Sequence, residues 1–432
     1  MMVLRSFLLM FLLCTAPLLR AELSIEINEG NDDPLPIAVV PFGWTAGVTL
    51  QEDVASIVER DLHRSGLFEP LSRADMLSRP SRASEVYYRD WKSLGVDYVV
   101  VGELSFGANN NLIARYELLD VNTQQSILKG EEQQSLKKVR FLAHTISDRI
   151  YEKLTNIRGA FRTQLLYVSA VREGDTRFRY RLLKSDIDGV GEEVLADSME
   201  PILAPTWSPD GKKIAYVSFK TTRPAIYLHN LETGERQQLT NFRGLNGAPA
   251  FSPDGRQLAM VLSKDGSPDI YVMDLTTSAI QRVTNHFAID TEPAWAPDGK
   301  SLYFTSDRGG KPQIYKVELA SGSVERITFE GDYNARARVL GDGLGLVMVH
   351  RVKGRFHIGV QDFKRNRVEI LTTTDLDESP SVAPNGSMLL YSTTYNGQGV
   401  LAAVSVDGGV KYRLPSRFGD VREPAWSPFL YE

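Results

Sequence analysis

The sequence is poor in cysteine, in long apolar runs and in surplus positive charge. It contains one cysteine among 432 residues, and 49 lysines and arginines against 54 aspartates and glutamates give a formal net charge of −5. A chain without a basic surplus lacks the electrostatic footprint of a protein that binds nucleic acid or anionic lipid. Its marked apolar run, residues 6–14, is too short to cross a bilayer. We therefore expect no nucleic-acid partner and no transmembrane segment in the mature chain.

Residues 1–21 have the pattern of a secretory signal peptide. Arg5 precedes the apolar run, and the small residue Ala21 stands where cleavage is predicted. A lipoprotein signal at Cys14 is the alternative, although Leu13 is bulkier than the residue expected before a lipidated cysteine. Cleavage after Ala21 removes the single cysteine, so the mature chain depends on core burial rather than on disulfides. In a double-membraned cell the predicted location is the periplasm.

Enzyme motifs are absent from the sequence or fail in their context. It has no Gly-x-Ser-x-Gly and no His-Glu-x-x-His, and the Walker-like tail at residues 299–301 has Ala294 where a glycine is needed. Asp186 and Asp188 lack the later glutamate of a calcium loop, so we interpret them as part of a turn. We predict no catalytic residue, no metal ligand and no enzyme activity.

A five-residue motif recurs along the second half of the chain. Trp207-Ser-Pro-Asp-Gly211 is followed by similar motifs that start at Phe251, Trp295, Val382 and Trp426. The successive spacing is 44 residues, with a double step of 87 residues between Trp295 and Val382 in which Val339 starts a weaker copy. Proline and glycine in these positions favour a β-turn that closes a hairpin. Each period holds about four short alternating strands, which is the content of one propeller blade.

Six motifs predict a six-bladed β-propeller over residues 161–432. Because only six residues follow Trp426, the last blade lacks strands of its own. We expect the C-terminal strand to pair with the segment starting near Leu165, which would close the ring without a covalent link.

The first part of the mature chain has no such repeat. Residues 37–42, 96–104 and 112–119 are predicted strands, and residues 52–63 and 139–154 have helical spacing. Interleaved strands and helices indicate an α/β domain over residues 34–160. Residues 22–33 alternate and are acidic, so they are predicted to form an extended N-terminal arm, either bound as a strand or mobile.

Polar segments immediately before each motif point to a binding surface. Glu292, Glu378 and Glu423 are predicted to occupy equivalent places around one mouth of the central channel, with Asp290 and Asp377 close by. A ring of like charges in a funnel of low dielectric attracts a cation or the basic and amide groups of a partner. The alternative is that these segments are polar turns whose prolines set the backbone geometry.

The combination of signal peptide, α/β domain and repeats resembles the TolB family of the Tol–Pal system. The resemblance rests on residues 159–162, 246–255, 271–275 and 424–428 and extends over nearly the whole chain. It implies a periplasmic, non-enzymatic scaffold that binds the lipoprotein Pal through the propeller face and TolA through the arm. It also implies a role in outer-membrane integrity and constriction during cell division, with other envelope lipoproteins and bacteriocins as further partners.

Carried over by position and extended by the ring argument, the predicted partner site has two parts. Relatives can have histidine where this chain has Leu245, which changes the polar contact available there. The predicted Pal-binding residues are Leu245, Asn246, Ala248, Thr291, Glu292, Arg336, Glu378 and Glu423. The predicted TolA-binding residues of the arm are Glu22, Leu23, Ser24, Ile25, Glu26 and Ile27.

Two other functions remain open at this point. Similar propellers gate prolyl-oligopeptidase-type peptidases, but that function needs a hydrolase domain, and none is expected after the last blade. A propeller that binds cations or glycans through its acidic mouth is the second alternative. No cofactor is predicted apart from a Ca²⁺ ion in the channel under that alternative.

Overall fold

The computed structural model describes residues 26–29, 33–44, 50, 52–107, 111–221, 223–414 and 419–431. These residues form a short N-terminal strand, a mixed α/β region and a ring of six antiparallel sheets. The structure therefore confirms the predicted α/β region followed by a six-bladed propeller. The predicted signal peptide and arm residues 22–25 lie outside the described residues.

The α/β region contains one mixed sheet and the helices that pack against it. The N-terminal strand is β1 (Glu26–Glu29), and the elements that follow it are β2 (Leu35–Val39), β3 (Gly43–Trp44), α1 (Val54–Arg64), β4 (Phe68–Pro70), α2 (Tyr88–Ser93), β5 (Tyr98–Phe106), β6 (Asn111–Asp120), β7 (Gln125–Ser135) and α3 (Val139–Thr155). The strand order in the sheet is β4-β2-β5-β6-β7, to which the two-residue strand β3 adds beside β5. Strands β2, β4 and β5 are parallel, and β5, β6 and β7 are antiparallel.

The helices α1 and α3 cover one face of this sheet because their apolar positions recur at helical spacing. Asp53 caps α1 by accepting a hydrogen bond from the Ser56 backbone N–H at 3.3 Å, which satisfies a free donor of the first turn. Ile57 in α1 and Leu142 in α3 are buried together with Val100 of the sheet in one core. Burial of this apolar stripe stabilises the region without disulfides.

The propeller consists of six sheets, each with four strands from the propeller sequence, counted here as blades 1 to 6. Strands β8 (Gln164–Glu173), β9 (Arg177–Asp186) and β10 (Glu193–Ser198) belong to blade 6. Blades 1 to 3 contain β11 (Ile202–Trp207), β12 (Lys213–Ser218), β13 (Ala225–Asn230), β14 (Arg236–Gln238), β15 (Asn246–Phe251), β16 (Gln257–Leu262), β17 (Asp269–Asp274), β18 (Ile280–Arg282), β19 (Asp290–Trp295), β20 (Ser301–Ser306), β21 (Gln313–Glu318) and β22 (Val324–Arg326). Blades 4 and 5 contain β23 (Asn334–Val339), β24 (Gly345–Val352), β25 (Arg355–Asp362), β26 (Arg367–Ile370), β27 (Glu378–Val382), β28 (Met388–Tyr395), β29 (Gln398–Ser405) and β30 (Lys411–Leu414), and the last strand is β31 (Asp420–Trp426).

The recurring Ser-Pro-Asp-Gly motif forms the turn between the first two strands of a blade. In blade 1 the Ser208 backbone N–H donates to the Lys213 carbonyl at 2.8 Å, and the Asp210 carboxylate accepts from the Lys212 N–H at 3.0 Å. Gly211 has a φ of +69°, in the left-handed region that favours glycine. The motif therefore fixes where each innermost strand reverses.

Blade 6 is built from both ends of the propeller sequence. β31 pairs antiparallel with β8, with Trp426 opposite Leu165. The Trp426 indole N–H donates to the Thr163 hydroxyl at 2.8 Å, and the Gln164 backbone N–H donates to the Ser427 hydroxyl at 2.9 Å. These bonds join the ring at the seam between β31 and β8.

The described part of the arm is a strand on the outside of blade 5. β1 pairs antiparallel with β30, with Ile27 opposite Tyr412 and Glu26 opposite Arg413. Blade 5 consequently has five strands, in the order β1-β30-β29-β28-β27. The arm covers an outer strand edge that would otherwise expose backbone donors and acceptors.

The α/β region contacts the propeller at the side that carries the Ser-Pro-Asp-Gly turns. In the turn of blade 5, the Asn385 amide donates to the Arg158 carbonyl at 2.9 Å. Past the last strand, Phe429 lies 3.9 Å below the Arg158 guanidinium, and Tyr431 contacts Phe141 edge-on at 4.6 Å. Within the described ranges, no helix has the length and apolar character needed to cross a membrane.

Candidate protein-binding face of the propeller

The innermost strand of each blade runs from one face of the ring to the other. In blade 3, β19 starts at Asp290 and ends at Trp295, next to the turn at residues 296–299. We call the end with these turns the turn face, and the opposite end, where loops between blades meet the channel, the loop face. Because the α/β region contacts the turn face, the loop face is the end of the channel on the far side from those contacts.

Six equivalent residues line the channel near the loop face with the same unusual backbone. Each lies in a β-bulge of an innermost strand and has a φ between +46° and +56°, which costs an L-amino acid about 1 kcal/mol or more. The six residues are Ala204, Ala248, Glu292, Arg336, Ser379 and Glu423. A strained conformation kept in every blade indicates that the bulge itself is required, because it positions these residues along a channel of about 370 Å³.

The ring position in blade 5 is Ser379, so the predicted equivalence of Glu378 with Glu292 and Glu423 is wrong. Glu378 pairs with Ser392 just before its bulge, as Thr291 pairs with Thr305 in blade 3. Ser379 stands three residues before Val382, as Glu292 stands three residues before Trp295, whereas Glu378 stands one residue further from its motif. Glu378 is exposed and does not line the channel.

A cation of the protein itself lies between the two remaining glutamates. The Arg336 guanidinium contacts the Glu292 carboxylate at 2.6 Å and the Glu423 carboxylate at 3.5 Å, and it also donates to the Ser379 hydroxyl. Burial alone would lower the pKa of Arg336, but the two carboxylates outweigh it and raise that pKa. Arg338 lines the same channel. The expected uniformly acidic mouth is therefore wrong, since its carboxylates are paired.

A second set of equivalent residues, two positions earlier in blades 2 to 5, is structural rather than exposed. Asn246, Asp290, Asn334 and Asp377 are fully buried. The Asn246 amide donates to the Phe242 carbonyl at 2.8 Å, and Asp290 binds Arg308 at 2.8 Å. Burial raises the pKa of Asp377. Asn246 was expected on the partner-binding surface, but its side chain stabilises the loop from inside.

Apolar side chains of blades 2 to 5 lie at the channel mouth, and the sequence reasoning did not identify them as a set. This apolar ring consists of Leu245, Ile289, Tyr333 and Leu376, each directly before a residue of the buried polar ring. Ile289 is 50% exposed, Leu376 48% and Leu245 39%, whereas Tyr333 is half-buried against Phe356. Further exposed apolar residues of neighbouring loops are Met199, Phe287 and Phe329. The signal was present as an apolar residue before each Asn or Asp, at successive steps of 44, 44 and 43 residues.

The predicted Pal-binding residues thus separate into two layers. Leu245 and Glu378 are exposed at the loop face and Thr291 is half-buried there, whereas Ala248, Glu292, Arg336 and Glu423 line the channel below. Of the predicted TolA-binding residues, Glu26 and Ile27 lie in β1 on the outer strand of blade 5. Glu22, Leu23, Ser24 and Ile25 lie outside the described residues.

One cluster of possible metal ligands lies at the contact between the two regions. Ligand atoms of His144, Asp186 and Asp188 are within 4.8 Å of one another. The guanidinium of Arg140 already binds both carboxylates, so a protein cation occupies the place that a metal ion would take. Asp186 ends β9 and Asp188 lies in the turn that follows, which the Gly189 N–H closes by donating to the Asp186 carbonyl, as interpreted from the sequence.

Two family models match the chain. The TolB beta propeller domain matches residues 151–430, and the TolB amino-terminal domain matches residues 23–127. Together they account for both regions of the fold.

Curated relatives and a solved structure agree with these matches. The Tol-Pal system protein TolB of Pseudomonas aeruginosa is 59% identical over 408 residues, which is 94% of either chain. That of Pseudomonas putida is 57% identical over 426 residues, covering 98% of both. The crystal structure of TolB from Acinetobacter baumannii superposes with a TM-score of 0.86 at 43% identity, covering 94% of this chain and all of that chain.

Proposed function

The chain belongs to the TolB family of Tol–Pal system proteins, and on that premise we propose that it is a non-enzymatic periplasmic scaffold of this system. In this proposal the loop face binds the lipoprotein Pal and the N-terminal arm binds TolA. The scaffold supports outer-membrane integrity and constriction during cell division. Other envelope lipoproteins and bacteriocins would use the same loop face.

The apolar ring around the polar channel mouth is the observation that carries the Pal assignment. Protein interfaces combine apolar side chains that lose contact with water and polar groups that fix orientation. The apolar ring, Leu245, Ile289, Tyr333 and Leu376, supplies the first kind, and Thr291 and Glu378 at the loop face supply the second. A surface with these properties favours a protein partner over a small polar substrate.

The arm supports the TolA assignment because it binds through its backbone. A short strand at a sheet edge can exchange one partner strand for another. When β1 pairs with β30, its backbone groups on that side are occupied, so TolA binding to the same residues competes with docking on blade 5. The proposed scaffold therefore links TolA binding to arm release.

The Pal assignment is tested by placing a charge in the apolar ring. We expect Ile289→Glu to weaken binding of purified Pal by about 10- to 100-fold, since a charge at a desolvated contact costs about 1.4 to 3 kcal/mol. Val194→Glu is the matched control, because Val194 in β10 is 52% exposed and Ile289 is 50% exposed. Calorimetric titration of both variants with Pal measures the difference, and equal affinities would contradict the assignment.

The linkage is tested by deleting residues 22–33. We expect the shortened protein to lose TolA binding and to bind Pal with an altered affinity, because arm docking and Pal binding are proposed to influence each other. Both affinities are measured by titration against the full mature chain. If neither affinity changes, both the assignment of TolA binding to the arm and its linkage to Pal binding are wrong. If TolA binding is lost and the affinity for Pal is unchanged, the arm still binds TolA but is not coupled to the loop face.

A further inference from the structure

Arg140 links the α/β region to blade 6. This residue of α3 contacts Asp186, the last residue of β9, at 3.2 Å and also binds Asp188 in the turn that follows. Its third partner is Glu52, before α1, at 2.5 Å. Side chains in this group are largely buried, with 16% of Arg140 and 10% of Asp188 exposed. Burial reduces solvent screening, so these contacts are stronger than surface ion pairs.

A buried polar network connects α3 to the end of α1. The Asp61 carboxylate of α1 pairs with His144 at 2.7 Å and accepts a hydrogen bond from Ser147 at 2.6 Å, both in α3. The same carboxylate group binds Arg64 at 2.8 Å in the last turn of α1. The two helices therefore move together, and the position of α3 sets the position of the α1 terminus.

The α1 terminus contacts the strand on which the arm docks. Gly66, two residues after the end of α1, lies so close to Val410, the residue before β30, that a Cβ atom on Gly66 would come within 2.4 Å of the Val410 side chain. Arg64 and Tyr412 line the same small cavity between the two regions. Tyr412 belongs to β30, and its backbone is paired with Ile27 of the arm. One short strand thus contacts the α/β region through its side chains and the arm through its backbone.

We propose that Arg140 is a domain clamp that braces β30 and thereby holds the arm on blade 5. Loss of the clamp lets α3 and α1 move away from blades 6 and 5, which removes the support behind Val410 and Tyr412. β1 has four residues and pairs with one neighbour, so a small displacement of β30 is sufficient to release it. The role is conformational and does not depend on which partner the arm binds.

Hydrogen exchange on the full-length protein tests this inference. We expect Arg140→Gln to increase the exchange rate severalfold both in the turn at residues 186–190 and in residues 26–29. Arg179→Gln is the matched control, because Arg179 also binds two carboxylates, Glu173 at 2.5 Å and Asp197 at 3.0 Å, but within blade 6. This control should leave the exchange rates of both segments unchanged.

Each other outcome overturns the inference. If Arg140→Gln increases the exchange rate in the turn but not in the arm, the clamp does not control arm docking. If the exchange rate is unchanged in both segments, Arg140 is not a clamp. An equal effect of Arg179→Gln would show general loosening of blade 6. If Arg140→Gln does not fold, Asp188→Asn removes one acceptor of the clamp from the propeller side and is judged by the same two segments.

Discussion

Arg336 determines the charge of the channel mouth. Without it, Glu292 and Glu423 would face each other across the channel as half-buried carboxylates, and the mouth would attract cations. With Arg336 present, the negative charge of the two glutamates is largely paired within the protein. A partner at the mouth then meets hydrogen-bonding groups rather than a strong negative electrostatic potential. The loop face is therefore suited to a partner that is recognised by shape and apolar contact.

Replacing Arg336 should destabilise the propeller. We expect Arg336→Gln to lower the free energy of unfolding by about 1 to 3 kcal/mol, because it leaves carboxylates without a partner in a partly buried site. Adding Glu292→Gln should recover part of this loss, since one of those carboxylates is then removed. Urea unfolding of the two single variants and the double variant measures the coupling, and strictly additive losses would contradict this account.

At the scale of the element, β31 differs from every other innermost strand. Strands such as β19 continue through a turn into the next strand of their own blade, whereas β31 is joined to β8 without such a turn. Trp295 and Trp426 end these two strands at equivalent positions, 9% and 8% exposed. Both indole N–H groups donate a hydrogen bond, to the Ala250 carbonyl and to the Thr163 hydroxyl.

The two tryptophans therefore form a matched pair for testing the seam. Truncation to alanine should cost about 3 to 5 kcal/mol at either position, because a large buried side chain is removed. We expect Trp426→Ala to cost more than Trp295→Ala, because it also weakens the strand pairing that closes the ring. Urea midpoints of the two variants test this expectation, and a larger loss at Trp295 would contradict it.

At the scale of the whole molecule, the contact between the two regions depends on an ionised carboxylate. Burial would raise the pKa of Asp188, but the charges of Arg64, His144 and Arg140 outweigh it and lower that pKa to about 2. Since the folded pKa lies below the unfolded one, the carboxylate contributes stability above the unfolded pKa. That contribution is lost as the pH falls through the folded pKa.

Asp188→Asn should consequently be most damaging near neutral pH. We expect it to lower the free energy of unfolding by about 2 kcal/mol there, with the difference from the wild type shrinking as the pH falls from about 5 toward about 2. Asp197→Asn is the control, because Asp197 pairs with Arg179 and Arg181 at the exposed edge of the same blade and should cost less than about 1 kcal/mol. Urea unfolding across this pH range measures both, and a constant difference for Asp188→Asn would contradict the assignment.

The repeat made the propeller predictable, because turn chemistry and strand spacing are local and recur in every blade. The mouth was harder to predict because Glu378 resembles Glu292 and Glu423 in charge. It stands one residue further from its motif than they do, and the alternation of side chains along a strand then places it outside the ring. Asn246 was predicted to be exposed because asparagine is polar. The local sequence does not distinguish an exposed asparagine from a buried one whose amide is hydrogen-bonded to its own loop. The pairing of the arm with β30 joins residues far apart in sequence, which periodicity cannot reveal.

Because the seam joins β31 to β8, the ring of blades can close only after β31 has been synthesised. A chain that emerges N-terminus first presents β8 long before its neighbour exists, so the growing propeller remains an open arc with an unpaired edge until β31 arrives. During that interval the edge can pair with another copy of the chain. Pairing of β31, which ends at Trp426, covers the edge of β8. A chain that terminates before β31 would keep that edge exposed.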